Sequence, residues 1–428
     1  MQKVNKLKNN LRTILVPVSG TEAVTVLVMV KVGSRYETPE LSGASHFIEH
    51  MMFKGTKRRP TTLDISKELD SVGASYNAFT SKSYTGYYAK VPVEHFSLAV
   101  DLLHDMIFNS KYAPAELARE RKVIIEEIKM YEENPMMHIE DLLEEKMLEG
   151  NPLGWNTAGT RKTMIDMKRS ALLNFRDRNY VPENLVLAVA GNLPKNAEKI
   201  IGAKFGMVGA NGRSPLQSNF VPYKNAGCPC CYPKVAVQNK ETEQIQLAFG
   251  FLSPSMHDEK NDLLAEVLGV ILGGTMSSRL FIAVRERKGL AYFVRAGQGA
   301  YEDVGVFSIR AGLDKARLPM ASKVIFSELA NIKKKGPTAA ELKLAKNYLK
   351  GKMKLGMEDS SAQADFYARQ ELLLNKIESP EEIYKKIDHI TVKDIQKIAN
   401  QILCEENMTV AAIGPFASEK VLMKTIGL

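Results

Sequence analysis

The sequence predicts an α+β fold of two homologous domains, each an antiparallel sheet with helices packed on it. The first observation is an internal repeat at an offset of 219 residues. Residues 243–251 alternate like 24–32, a helix over 261–272 stands where 45–53 stands, and Gly274-Thr275 echoes Gly55-Thr56. Both halves also close alike, 184–191 and 407–414 each being a short apolar strand that ends in glycine. The second observation is that each copy mixes hairpin-linked strands with a run of helices, the pattern of two α+β layers rather than of a parallel sheet. The third is size: 428 residues, 45% of them hydrophobic, are ample for two or three cores. The expected domains are 1–210 and 241–428, with a linker at 211–240.

Taken in order, the chain opens with a basic stretch that has no acid before Glu22. Residues 11–17 and 24–32 already read as strands, which leaves no room for a removable leader, so a cytoplasmic protein is expected. The net charge of +9 is spread along the chain without basic runs or interleaved aromatics, which argues against nucleic acid. No apolar stretch is long enough to span a bilayer. A short helix at 45–53 follows the Ser42-Gly43 break and ends at Gly55. Thr62 caps a helix that Gly73 ends, and 74–80 with 84–91 form a hairpin around Ser81-Lys82-Ser83. Helices are predicted over 93–109, 113–133, 136–149 and 162–179, then a strand over 185–190. The stretch 206–240 lacks periodicity and holds Cys228, Cys230 and Cys231. With Cys404 the one other cysteine, these read as free thiols rather than a metal or redox site.

Chemistry concentrates at Ser45-His46-Phe47-Ile48-Glu49-His50. Histidines four apart lie on one helical face, within reach of a single ion. Glu49 leans over the same patch, so the set has neutral nitrogens to hold a metal and a carboxylate beside the water that the metal activates. A packed apolar helix is the bland alternative, since Phe47, Ile48, Met51 and Met52 surround the motif. A third ligand is sought on the helix at 113–133, where Leu117, Val123, Ile124, Ile128, Met130 and Tyr131 fall in one apolar arc. Glu120 and Glu127 sit in that arc, whereas Glu126 projects from the charged face. Carboxylates on a buried stripe need a cation or strong donors. The geometry therefore selects Glu127 or Glu120, with a buried salt bridge as the alternative.

These residues resemble the inverted zinc motif of the pitrilysin family, His46-Phe47-Ile48-Glu49-His50 being followed by Glu127 after 76 intervening residues. The family includes insulin-degrading enzyme and mitochondrial processing peptidase. The resemblance implies that His46, His50 and Glu127 bind one Zn²⁺ per chain, that Glu49 is the general base, and that Glu120 supports the site from behind. It implies that Asn77-Ala78-Phe79 is a sheet edge that takes the peptide substrate as an extra strand; without it, 74–91 is an ordinary hairpin. It also assigns Arg285 and Tyr292, in Arg285-Glu286-Arg287-Lys288-Gly289-Leu290-Ala291-Tyr292, as donors to the substrate carbonyl. The local reading of that segment is a basic helix end capped by Gly289, and Gly273-Gly274 upstream reads as a flexible entry loop.

In the second copy Ala265, Leu268 and Gly269 take the places of His46, Glu49 and His50, so one copy is live. The family's chamber needs four such domains, so a clam-shell homodimer is implied, with Arg285 and Tyr292 acting across the interface. A zinc endopeptidase for unfolded segments or oligopeptides is the expected function. A catalytically silent structural subunit and a peptide-binding chamber are the alternatives.

Overall fold

The computed structural model describes residues 2–208, 219–224 and 233–428. Cys228, Cys230, Cys231 and much of the expected linker lie outside the described residues. Two compact units are present, and they are not the contiguous halves expected from the sequence. One comprises Met1–Lys129, Trp155–Val221 and Lys354–Glu378; the other comprises Met130–Gly154, Pro222–Met353 and Ser379–Leu428.

The first unit holds strands β1 (Lys3–Lys6), β2 (Arg12–Pro17), β3 (Ala23–Val30), β4 (Ser75–Thr80), β5 (Thr85–Pro92) and β6 (Leu185–Gly191). They form one sheet in the order β1-β2-β6-β3-β5-β4. The second unit holds β7 (Lys234–Asn239), β8 (Gln244–Ser253), β9 (Ala291–Ala300), β10 (Gly305–Asp314) and β11 (Met408–Gly414). Their order, β7-β11-β8-β10-β9, is that of the first sheet without β1, so the duplication holds at the level of topology. Each sheet departs from the antiparallel expectation at one pair, β2 with β6 and β7 with β11, which run parallel.

The reason the units are not contiguous lies in the central strands. β3 reads Ala-Val-Thr-Val-Leu-Val-Met-Val and is buried on both faces, and β6 is buried throughout, as for a sheet covered on both sides. Val24, Val26, Val28 and Val30 face the helices of the first unit. The opposite face is covered by the helix Ser360–Arg369, whose Ser360 Oγ lies 2.8 Å from Thr25 Oγ1. In the second unit Phe249 and Phe251 face one core, and Ala236, Ala248, Ala411 and Ile413 pack on Ile139 and Leu143 of the helix Pro135–Met147. Each sheet thus has its second face covered by a helix from the other half of the sequence.

Other differences have local causes. The helix expected over 162–179 is broken into Arg161–Asp166 and Arg169–Asn179, because buried Met167 is extended and its carbonyl accepts the Arg121 guanidinium at 2.7 Å. β7 begins at Lys234, inside the expected linker; only Ala236 of its six residues is buried, so it carries little hydrophobic signal. Gly273 and Gly274 are not a flexible loop. They belong to a wide helical turn, Val270–Gly274, that continues the helix Glu259–Gly269. A Cβ on Gly273 would stand 2.2 Å from the Ala296 nitrogen, so a side chain there would collide with β9.

Candidate metal centre

The site is built on α1 (Ala44–Met52) and on the long helix Pro114–Glu133, whose residues up to Lys129 belong to the first unit. In α1, Phe47, Ile48, Met51 and Met52 are fully buried, and they fix the rotation that turns His46 and His50 to the other side. On the long helix Leu117, Ile124 and Ile128 are buried, while Val123 and Met130 are exposed, which narrows the expected apolar arc to one flank. At about 100° per residue, Glu120 and Glu127 then lie on the margin between the two flanks rather than mid-arc. Glu126 is exposed, as its position predicts.

Three ligand atoms converge. His50 Nε2 lies 3.2 Å from His46 Nε2 and 3.6 Å from Glu127 Oε2, and His46 Nε2 lies 3.9 Å from the same oxygen. Ligands of a tetrahedral zinc at ordinary bond lengths stand about 3.3 Å apart, so the triangle fits the ion. Burial and the neighbouring His50 push His46 down to about 4, which keeps its ring neutral near pH 7, as a ligand must be. Among the described residues this is the one group of three His, Cys, Asp or Glu that could hold a metal.

Behind the triangle, His50 Nδ1 lies 2.8 Å from Glu120 Oε1, and Lys54 Nζ lies 2.7 Å from Glu120 Oε2. Burial alone would raise the Glu120 carboxyl, but the hydrogen bonds from His50 and Lys54 overcome it and hold it below the ordinary range. A charged Glu120 fixes the His50 tautomer with the proton on Nδ1, leaving Nε2 for the metal.

Glu49 lies on α1 between the two histidines. Burial raises its carboxyl, the nearby Glu127 charge adds to that, and a hydrogen bond from the Thr80 hydroxyl to Oε2 opposes it. Thr80 is the last residue of β4, and β4 is the edge of the first sheet. Asn77 is exposed and Ala78 buried on that strand, and the Ala78 N–H is capped by Asn77 Oδ1 at 2.9 Å. Phe79 is half-buried, stacked edge-on against Tyr84.

In the second unit, Arg285 lies in the wide turn Phe281–Glu286 and Tyr292 is the second residue of β9. The guanidinium stands 4.9 Å from the Phe281 ring centre and 5.9 Å from that of Tyr292, whose side chain is 71% exposed. Gly289 follows the turn at a φ of +57°, and its N–H donates to the Arg285 carbonyl at 2.8 Å, so the helix-end cap is present too. Ala265, Leu268 and Gly269 are buried in the second core, which has packing where the first unit has ligands.

Four residues of the site escaped the sequence reading. Lys54 stands four after His50, a spacing that places it on the ligand face. Thr80 closes the strand already singled out. Glu37 and Lys82 carried no signal. The Glu37 carboxyl is 2% exposed and accepts the Gly43 and Ser45 N–H groups, both at 2.7 Å, at the start of α1. Burial pushes it up to about 7 against the pull of those bonds and of Lys82.

A duplicated α+β chain in which, among the described residues, a His-His-Glu triangle stands in the first copy alone has the architecture of the inverted-motif zinc peptidases. Residues 12–161 match the family described as insulinase, peptidase family M16, and residues 166–349 match the peptidase M16 inactive domain. The chain belongs to peptidase family M16, the insulinase or pitrilysin-like family. It is 36% identical over 409 residues to YmxG of Bacillus subtilis (strain 168), named an uncharacterized zinc protease, covering 95% of this chain and 97% of that one. An uncharacterized zinc protease of Mycobacterium leprae (strain TN) is 34% identical over 421 residues, covering 98% of this chain and 93% of its own. In fold the chain is similar to a protease from Helicobacter pylori, with a TM-score of 0.91 at 23% identity over 97% of this chain and 99% of that one. It is similar also to a peptidase M16 inactive domain from Pseudomonas fluorescens, at 0.85 and 18% over 98% and 99%. No helix among the described residues is long and apolar enough to cross a membrane.

Proposed function

We propose that this chain is a zinc-dependent endopeptidase that cleaves unfolded segments or oligopeptides. The observation that carries this reading is the triangle of His46, His50 and Glu127 with the Glu49 carboxyl beside it on the same helix. One Zn²⁺ held there would supply Lewis-acid chemistry, making water acidic enough to lose a proton near pH ~7 and polarising a peptide carbonyl. Glu49 takes the proton of the attacking water at Oε1, because Oε2 is engaged by Thr80, and then delivers it to the leaving amine. The peptide adds as a strand to the open edge of β4 at Asn77, Ala78 and Phe79, displacing the Asn77 amide from the Ala78 N–H. Main-chain pairing gives affinity without a demand on side chains, which suits substrates that are extended and not folded.

The oxyanion that develops on the substrate needs donors, and half-buried Arg285 and exposed Tyr292 have suitable chemistry. In our reading two copies form a clam-shell homodimer in which these residues of one copy serve the centre of the other. A reducing cytoplasm is the compartment that suits the free thiol of Cys404. The test is digestion of a peptide library read by mass spectrometry, with and without chelator, for wild type and Glu49→Gln. The proposal expects chelator-sensitive cleavage by wild type and none by Glu49→Gln at full zinc content. Binding without cleavage by both proteins would make this a peptide-binding chamber, and absence of zinc a silent structural subunit.

A further inference from the structure

We propose that Glu37 is a positioning residue that locks the metal helix α1 to the substrate edge β4, so that zinc affinity and turnover both depend on it. The inference rests on the zinc-peptidase reading and deepens it. α1 is only nine residues long and has no side-chain cap of its own at Gly43. A helix this short is held by its surroundings rather than by its own propensity. The Glu37 carboxylate supplies what is missing, one oxygen accepting the Gly43 N–H and the other the Ser45 N–H, immediately before His46. Two main-chain hydrogen bonds to one buried carboxyl group at a helix N-terminus, away from water, fix the helix both along its axis and in rotation.

The other end of the same segment is tied to the hairpin that carries β4. The Ser34 N–H donates to the Ser81 carbonyl at 3.4 Å and the Arg35 N–H to the Lys82 carbonyl at 3.0 Å. A Cβ on Gly33 would stand 2.1 Å from the Ser81 oxygen, so the main chain at 33–35 lies directly on the turn between β4 and β5. Ser34, Arg35 and Glu37 are all buried, and the Arg35 guanidinium is 4.2 Å from the Phe220 ring centre. Lys82 faces Glu37 with its charge while its ammonium binds the Trp155 carbonyl.

The links close on themselves. β4 ends at Thr80, which holds Glu49 on α1; the first turn of α1, from its cap at Gly43 to Ser45, is held by Glu37; and the segment that carries Glu37 rests on Ser81 and Lys82, next to Thr80. The circuit fixes the spacing between the base, the metal ligands and the strand edge where a substrate would lie. Displacements of about 1 Å in such a spacing are enough to cost ~100-fold in rate.

The test uses Glu37→Gln, which keeps the volume but turns an amide N–H₂ toward one of the two donors, and Glu37→Asp, which keeps the charge but loses reach. In the metal-free protein, amide exchange at Gly43 and Ser45 is followed, and Zn²⁺ alone is titrated against a chromogenic chelator. In the loaded protein, kcat and KM are measured on a quenched peptide. The proposal expects protection of the two amides and zinc affinity to fall about tenfold or more in both variants. It expects kcat to fall at least as far, with KM within about threefold. A merely structural role would lower the melting temperature while leaving zinc affinity and the two amides unchanged in the folded variants, and that result overturns the proposal. Full zinc affinity in Glu37→Asp would do the same, since charge without reach would then suffice. Should wild type cleave no peptide, the endopeptidase reading fails, while the exchange and zinc measurements still decide the role of Glu37.

Discussion

Glu120→Gln is the substitution that probes how the metal ligands are held. The Glu120 carboxylate is 4% exposed, and its two oxygens meet His50 Nδ1 at 2.8 Å and Lys54 Nζ at 2.7 Å. Glutamine has one oxygen, so it can serve one donor and must turn an N–H₂ group toward the other. If it serves His50, the Lys54 ammonium, whose side chain is only 22% exposed, loses its anion. If it serves Lys54, the imidazole loses the acceptor that keeps its proton on Nδ1. Loss of such a partner lowers metal affinity by about 10–100-fold, which corresponds to about 1.4–2.8 kcal/mol. The assay is competition for Zn²⁺ between the protein and a chromogenic chelator, with the apo melting curve as a control for folding. Zinc affinity within about twofold of wild type would refute the reasoning, because Glu120 would then not orient His50.

Three further outcomes are expected. Tyr292→Phe should leave zinc content unchanged and stability within about 0.5 kcal/mol, since the side chain is 71% exposed, yet lower kcat by about 10–100-fold on a quenched peptide; unchanged kcat would remove the phenol from the mechanism. Burial would raise Glu341, yet bonds from Arg279 and Thr338 hold it at about 2, below the unfolded value of about 4.3, so its stabilisation is complete above the unfolded value and lost as pH falls through the folded one. Glu341→Gln should therefore cost about 1.5 kcal/mol near neutral pH in urea unfolding, and less at about pH 3 than at about pH 5; a cost independent of pH would contradict this. Gly273→Ala should destabilise by about 3 kcal/mol in the same assay, because the new methyl would meet the Ala296 nitrogen and main chain cannot rotate aside; a cost below about 0.5 kcal/mol would contradict the close approach of the turn to β9.

The site was legible where chemistry is local in the chain. His46, Glu49 and His50 declare themselves by spacing, and the face of the long helix excluded Glu126. The same periodicity could not separate Glu120 from Glu127, because both lie on one stripe; what distinguishes them is that Glu127 meets His46 and His50 Nε2, whereas Glu120 meets the far side of His50. The repeat predicted that the two halves share one fold, and the common strand order of the two sheets agrees with it; it did not predict that order or the parallel pair in each sheet. It did not predict that Ser360–Arg369 covers the first sheet or Pro135–Met147 the second. Amphipathic helices carry no record of which apolar face they will meet, and 24–32 reads as alternating in the sequence although β3 and β6 are buried on both faces in the structure. β7 was missed because a short strand at the sheet edge buries too little to alternate. Glu37 was missed because its partners are main-chain N–H groups six and eight residues on, beyond the spacing of any local cap.

The central claim is that one ion is shared by two histidines on a short helix and a carboxylate on a distant one. Elemental analysis of purified wild type and Glu127→Gln, after dialysis against zinc-free buffer, tests it most directly. Wild type should retain one zinc per chain, and Glu127→Gln, with a normal melting curve, should retain almost none. A variant that holds zinc as wild type does would show that Glu127 is not a ligand.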